Sequence, residues 1–289
     1  FTNCVGGNNG TTGGNGINVA AAFTTAGTVT ATTSITGQGN GGIGFASSAN
    51  FSTTGASHPI SITATATGTT GACHGISLTG GSMSTNAASS GITLSGTAGA
   101  SNTAGHGINL SGGTITTTSS DIFLTGVVSA GATAANAYGV NMNTANGITS
   151  TSGNMSISGT TNTSGNSGYG FFQNQNWSTG TTGTLTFTNC VGGLGTNCAG
   201  IVIPASLSNG GSIIATNNIS AGTGNVSGNS VGFYVAGNFT STNGSIEITA
   251  TAANVATGTT NAGFGVELNG GTTSVTGSNT ITIIGTGAS

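Results

Sequence analysis

The sequence predicts an all-β chain wound as a right-handed parallel β-helix of about nine coils, each about 32 residues long with three short strands. Three observations carry that expectation. A four-residue signature returns along the whole chain at an almost constant interval. Apolar residues within it alternate with free ones, which is the period of a strand with one buried face. The composition is rich in glycine and β-branched residues, and no stretch shows a capped, 3.6-periodic helix.

The signature is Gly, apolar, any residue, apolar. It reads GINV (16–19), GIGF (42–45), GISL (75–78), GINL (107–110), GVNM (139–142), GFFQ (170–173), GIVI (200–203), GFYV (232–235) and GVEL (265–268). The glycines are spaced by 26, 33, 32, 32, 31, 30, 32 and 33 residues, and Gln173 is the one departure from the apolar pattern. Two more strand signals follow each copy, such as TITTT (114–118) and DIFLTG (121–126) after GINLSGG. Corners of Gly, Ser and Asn separate them, residues that tolerate positive φ. A coil cannot bury its apolar side alone, so burial requires stacking about 4.8 Å apart. Ile17, Ile43, Ile76, Ile108, Val140, Phe171, Ile201, Phe233 and Val266 are expected to form one inward ladder. Ile60, Ile92, Ile122, Met155, Leu185, Ile213, Ile246 and Ile281 are expected to form a second. An antiparallel sandwich would not demand one signature per 32 residues.

FTNCVGG occurs at 1–7 and again at 187–193. The segment 50–81 likewise resembles 238–271. A six-coil block, 1–186, thus reads as partly repeated from 187. The expectation is one continuous solenoid over 1–289, a window on a longer array, with Phe1 entering at the phase of Phe187 in a third strand.

Charge removes whole classes of function. The chain has no Lys or Arg, three acidic residues and three histidines. It cannot neutralise phosphates, so nucleic acid is not an expected partner. It has no polybasic patch for a membrane surface and no apolar run of about 20 residues. No cofactor is implied.

The cysteines are Cys4, Cys73, Cys190 and Cys198. Cys190 and Cys198 flank a glycine-rich loop, and a disulfide between them is the expectation. Cys4 and Cys73 lie about two coils apart, roughly 10 Å, beyond disulfide reach. They are expected to be unpaired, or paired outside this chain segment. No CxxC pair supports a zinc site. His74 and His106 fall at equivalent places in adjacent coils; two polar residues at a corner are the plainer reading, and a stacked pair binding a metal between coils the sharper one. His58 stands alone before Pro59. Glu247 and Glu267 supply the minimum pair for glycoside hydrolysis, yet both occupy outward positions and neither recurs in other coils. Solvated carboxylates are the plainer reading, and Asp121 alone cannot supply a calcium repeat. Asn50, Asn176 and Asn238 fall in glycosylation sequons, each followed by an aromatic residue. An inward aromatic beside an asparagine ladder accounts for them without glycans.

On GISLTGG, GITLSGTAGAS, GINLSGGTITTTSSDIFLTG and GVELNGGTTSVTGSNTITIIGTGAS, the whole chain resembles the repetitive shafts of large bacterial surface proteins. These are filamentous-haemagglutinin-like adhesins and β-strand repeat exoproteins. Haemagglutinin repeats are shorter than 32 residues. The resemblance implies secretion, a parallel β-helix, and roles in adhesion, biofilm or cell-surface coating, and a non-enzymatic structural shaft is the leading expectation. Self-association end to end or side by side follows from low charge and open ends. Surface glycans or other cells remain as partners. Two other functions compete: an ice-binding face made from runs such as TVTATT (28–33), ITATATGTT (62–70) and TITTT (114–118), and a carbohydrate-active enzyme.

Overall fold

The computed structural model describes residues 1–7, 12–86, 91–180, 182–222, 230–252 and 263–288. Within them the chain contains strands, turns and bends and no helix, so no helix is long and apolar enough to cross a membrane. Residues 253–262, inside the repeated segment 238–271, lie outside the described residues.

The chain is a β-solenoid of stacked parallel coils with three faces. The first face is a nine-stranded sheet that runs in coil order from Ile17–Val19 through Ile108–Leu110 to Gly263–Leu268. The third face is a ten-stranded sheet, from Val29–Ala31 through Ile122–Val128 to Ile281–Thr286. The second face is divided. Five strands from Phe23–Thr25 to Ile148–Ser150 form one sheet, and four from Trp177–Ser178 to Thr273–Val275 form another. The division falls at Trp177. Its indole N–H donates to the carbonyl of Ile148 at 2.6 Å, a group that lies on the preceding coil. A side chain thus occupies a carbonyl at the level where the strand ladder is interrupted.

The first inward ladder is correct except at one rung. Ile17 pairs with Phe45, not Ile43, and Phe45 pairs with Ile76. Phe45 is fully buried, whereas Ile43 is only partly covered. From Ile76 onward the expected residues pair in order to Val266. The second ladder pairs as expected from Ile60 to Ile281. Its last rung, Ile281, is 41% exposed, while the others are buried. Apart from Ile43 and Ile281, the residues of both ladders belong to, or pack against, one apolar cluster that runs from Val29 to Ala250.

Why the signature begins with glycine follows from the corner it occupies. A Cβ built on Gly107 would lie 2.2 Å from the Val127 nitrogen and 2.6 Å from the Gly139 oxygen, both backbone atoms. Gly139 meets Thr160 and Gly170 in the same way. Here the end of a third strand crosses close to the start of the next first strand, and only a hydrogen side chain fits. The same contacts identify the second coil's true marker. Gly44 packs on Gly75 and Thr65 as Gly107 packs on Gly139 and Val127, so the signature there starts at Gly44 rather than Gly42.

The repeated FTNCVGG also has a structural meaning. Asn3 and Asn189 both adopt left-handed backbone, with φ of 52° and 49°. At Asn189 the pairing with the previous coil shifts register between Ser158 and Thr160. Such a bulge re-aims the next side chain. Cys190 consequently turns into the core and is fully buried. The bulge is carried upward: Asn218, φ 53°, donates its amide to Asn189 Oδ1 at 3.1 Å.

Candidate functional site

Three groups of residues have chemistry beyond packing: the thiols, the carboxylates, and the outer rings of the first face.

All four cysteines are free. The expected Cys190–Cys198 disulfide is not formed, and the reason is direction. The bulge at Asn189 sends Cys190 into the main apolar cluster, where its thiol faces the carbonyls of Ile157 and Thr188. Cys198 lies in a separate small cluster with Ala221. Burial pushes the Cys190 thiol up to about 12 and also raises Cys198. A thiol held protonated and covered is a poor nucleophile and a poor metal ligand. Cys73 is buried and donates to the Thr70 carbonyl at 3.2 Å. Cys4 is partly exposed.

The carboxylates do not meet. Glu247 projects from the third-face sheet and pairs with Ile214 and Thr282, whereas Glu267 projects from the first face beside Tyr234. Two outward side chains on different faces cannot flank one glycosidic bond. Asp121 accepts the Asn154 N–H of the next coil at 2.8 Å. Among the described residues, no group of three or more His, Cys, Asp or Glu gathers as a metal site would require.

Asp121 is one case of a general device. Asn50, Asn146, Asn176 and Asn238 each place Oδ1 on a backbone N–H one coil further along, at Ser82, Ser178, Ser206 and Thr272, with distances of 3.0, 2.7, 3.1 and 3.0 Å. The sequon residues are therefore corner staples. Phe51, Trp177 and Phe239, which follow three of them, are buried inward.

The histidines use the same device with a ring. His74 Nδ1 accepts the His106 N–H at 3.0 Å, and His106 Nδ1 accepts the Tyr138 N–H at 3.2 Å. Accepting at Nδ1 fixes both imidazoles as neutral, with the proton on Nε2. Burial holds His74 down at about 4 and holds His106 well below the usual imidazole value, with His74 adding to the latter. The rings of His74, His106, Tyr138 and Tyr169 stack at 5.1, 5.0 and 5.1 Å, one ring per coil. Phe172 leans on Tyr138 and Tyr169, at 4.7 and 5.6 Å. The sequence pairs His74 with His106, but the continuation into Tyr138 and Tyr169 is hidden, because the shared column becomes visible only with the coil register.

Compared with known proteins, the chain matches no family model, no curated protein and no solved structure.

Proposed function

We propose that this chain is a non-enzymatic structural segment of a bacterial cell-surface protein, a rigid extracellular shaft with an adhesive or self-assembling role. The observation that carries the reading is the unbroken parallel stack of first strands from Ile17–Val19 to Gly263–Leu268. Every coil is tied to the next by backbone bonds on three faces, so extension must break many at once. The chain carries three acidic side chains and no cation, so its lateral faces can approach without strong repulsion. Absence of Lys and Arg also leaves no trypsin site, which suits exposure to proteases. The resemblance to haemagglutinin-like shafts points the same way.

Imaging is the direct test. Concentrated protein should form rods that associate lengthwise or laterally, and antibodies should label intact, unpermeabilised source cells. Dispersed particles at high concentration, or labelling only after permeabilisation, would overturn the reading.

A second reading, ice binding, has one observation in its favour. On the third face Ser61, Thr63 and Thr65 point outward in register with Thr93, Ser95 and Thr97. The next coil breaks the array with Phe123, 46% exposed, and with Val127. Absence of thermal hysteresis would remove it.

A further inference from the structure

The outward rings of the first face form a column with a gap in it. Tyr169 pairs with Ala199, Ala199 with Val231, and Val231 with Phe264. For two coils the column therefore has no ring, and Phe264 resumes it. The neighbouring outward column runs Phe172, Val202, Tyr234, Glu267. Where the rings are missing, a cavity of about 290 Å³ opens onto the surface. Ala199, Val202 and Val231 floor it, and Tyr169 and Tyr234 stand at its sides. Its polar groups are Glu267, Asn197 and Asn269. Asn269 Nδ2 donates to Tyr234 Oη at 3.5 Å, which ties that polar edge to the aromatic wall.

We propose that this notch is a binding site for a neutral pyranose sugar, the terminal residue of a surface glycan. The argument is one of matching chemistry. Stacked coils repeat at about 4.8 Å, so two absent rings leave a slot about two ring spacings long, enough to admit one puckered sugar ring. Tyrosine faces and an alanine–valine floor suit the C–H face of a pyranose. A carboxylate and two amides suit its hydroxyls, since the carboxylate accepts only and each amide both donates and accepts. Hydrogen bonds to the charged group are the stronger ones. The volume falls at the small end of ligand pockets, the size of one sugar ring rather than an oligosaccharide. The charge excludes the alternatives: with Glu267 in the notch and no cation in the chain, phosphates, sulfates and uronates are repelled.

The inference rests on the adhesive part of the proposed function and is independent of filament formation. Binding is therefore measured on dispersed protein, whatever imaging shows. The probes are methyl glycosides of glucose, galactose and mannose and of the N-acetylhexosamines, followed by saturation-transfer NMR on the 289-residue chain. Glucuronate and benzyl alcohol serve as controls. At least one neutral glycoside should bind and both controls should not. Ala199→Tyr adds one of the two missing rings directly above Tyr169, takes up the floor of the notch and should abolish binding while leaving thermal stability unchanged or higher. Glu267→Gln and Tyr169→Ala should each weaken binding by about tenfold. No binding by any neutral glycoside overturns the proposal. So does equal binding to the Ala199→Tyr protein, or binding of glucuronate or benzyl alcohol as strong as that of the sugars.

Discussion

The inward column of the third face runs Ile60, Ile92, Ile122, Met155, Leu185, Ile213, Ile246, three kinds of side chain doing one job. The corner next to it runs Gly75, Gly107, Gly139, Gly170, with no change of residue. Both are buried ladders with one rung per coil. They differ in what the neighbours require. Inside, a rung needs apolar area and a roughly constant volume, because packing tolerates hydrophobic exchange. At the corner a rung must leave room for particular backbone atoms, or supply a particular acceptor, and no other chemistry substitutes. Stability in this solenoid is thus permissive in its interior and strict at its edges.

The sharpest way to break the contrast is one methyl group. Gly107→Ala places Cβ against backbone on both sides, 2.2 Å from Val127 N and 2.6 Å from Gly139 O. We expect a loss of about 4 kcal/mol or more, or failure to fold, read by urea unfolding. Gly7→Ala, where a Cβ meets nothing within 4 Å, should stay within about 1 kcal/mol of the parent. Equal tolerance at both positions would erase the distinction.

The interior prediction is smaller. Ile108→Ala leaves a cavity in a fully buried rung and should cost about 2–5 kcal/mol, while Ile108→Val should cost about 1 kcal/mol. If Ile108→Val proved as damaging as Gly107→Ala, the interior would be as strict as the corner.

Acid probes the ring staples. Unfolded histidine takes up a proton near 6.5, whereas folded His74 stays neutral to about 4 and burial likewise holds His106 well below 6.5. Over that interval the unfolded chain binds more protons, so stability falls as pH drops from 6.5 toward 4. The geometry gives the same sign, because protonating Nδ1 turns an acceptor into a donor aimed at an N–H. The urea midpoint should decline through this range. A His74→Phe/His106→Phe protein, which keeps the rings, should lose most of that slope.

What the sequence made legible follows the same division. The permissive ladders were readable because alternation and period need only residue classes. The misplaced rung, Ile43, arose because GIGF satisfies the class pattern as well as Gly44–Phe45 does, and only the corner contacts separate them. A clue lay in the spacing: intervals of 26 and 33 from Gly42 become 28 and 31 from Gly44. The Cys190–Cys198 pairing failed for a strict reason, a bulge at Asn189 that turns one thiol inward, and no residue class announces it. The gap in the outer rings was invisible for the same cause, since Ala199 and Val231 are unremarkable until Tyr169 and Phe264 are known to share their column.

The mildest test concerns the corner staples, and it separates acceptor chemistry from shape. Asn176→Ala removes the acceptor of the Ser206 N–H at 3.1 Å and should cost about 1 kcal/mol, since this corner is open to water that can take the vacated bond. Asp121 already does the same work with a carboxylate, accepting Asn154 N–H at 2.8 Å. Asn176→Asp should therefore retain the parent stability at neutral pH, because a carboxylate offers the same oxygen at the same reach. If Asn176→Asp were as weak as Asn176→Ala, the corner would depend on the amide as a whole, its Nδ2 donor included, and not on the acceptor oxygen alone.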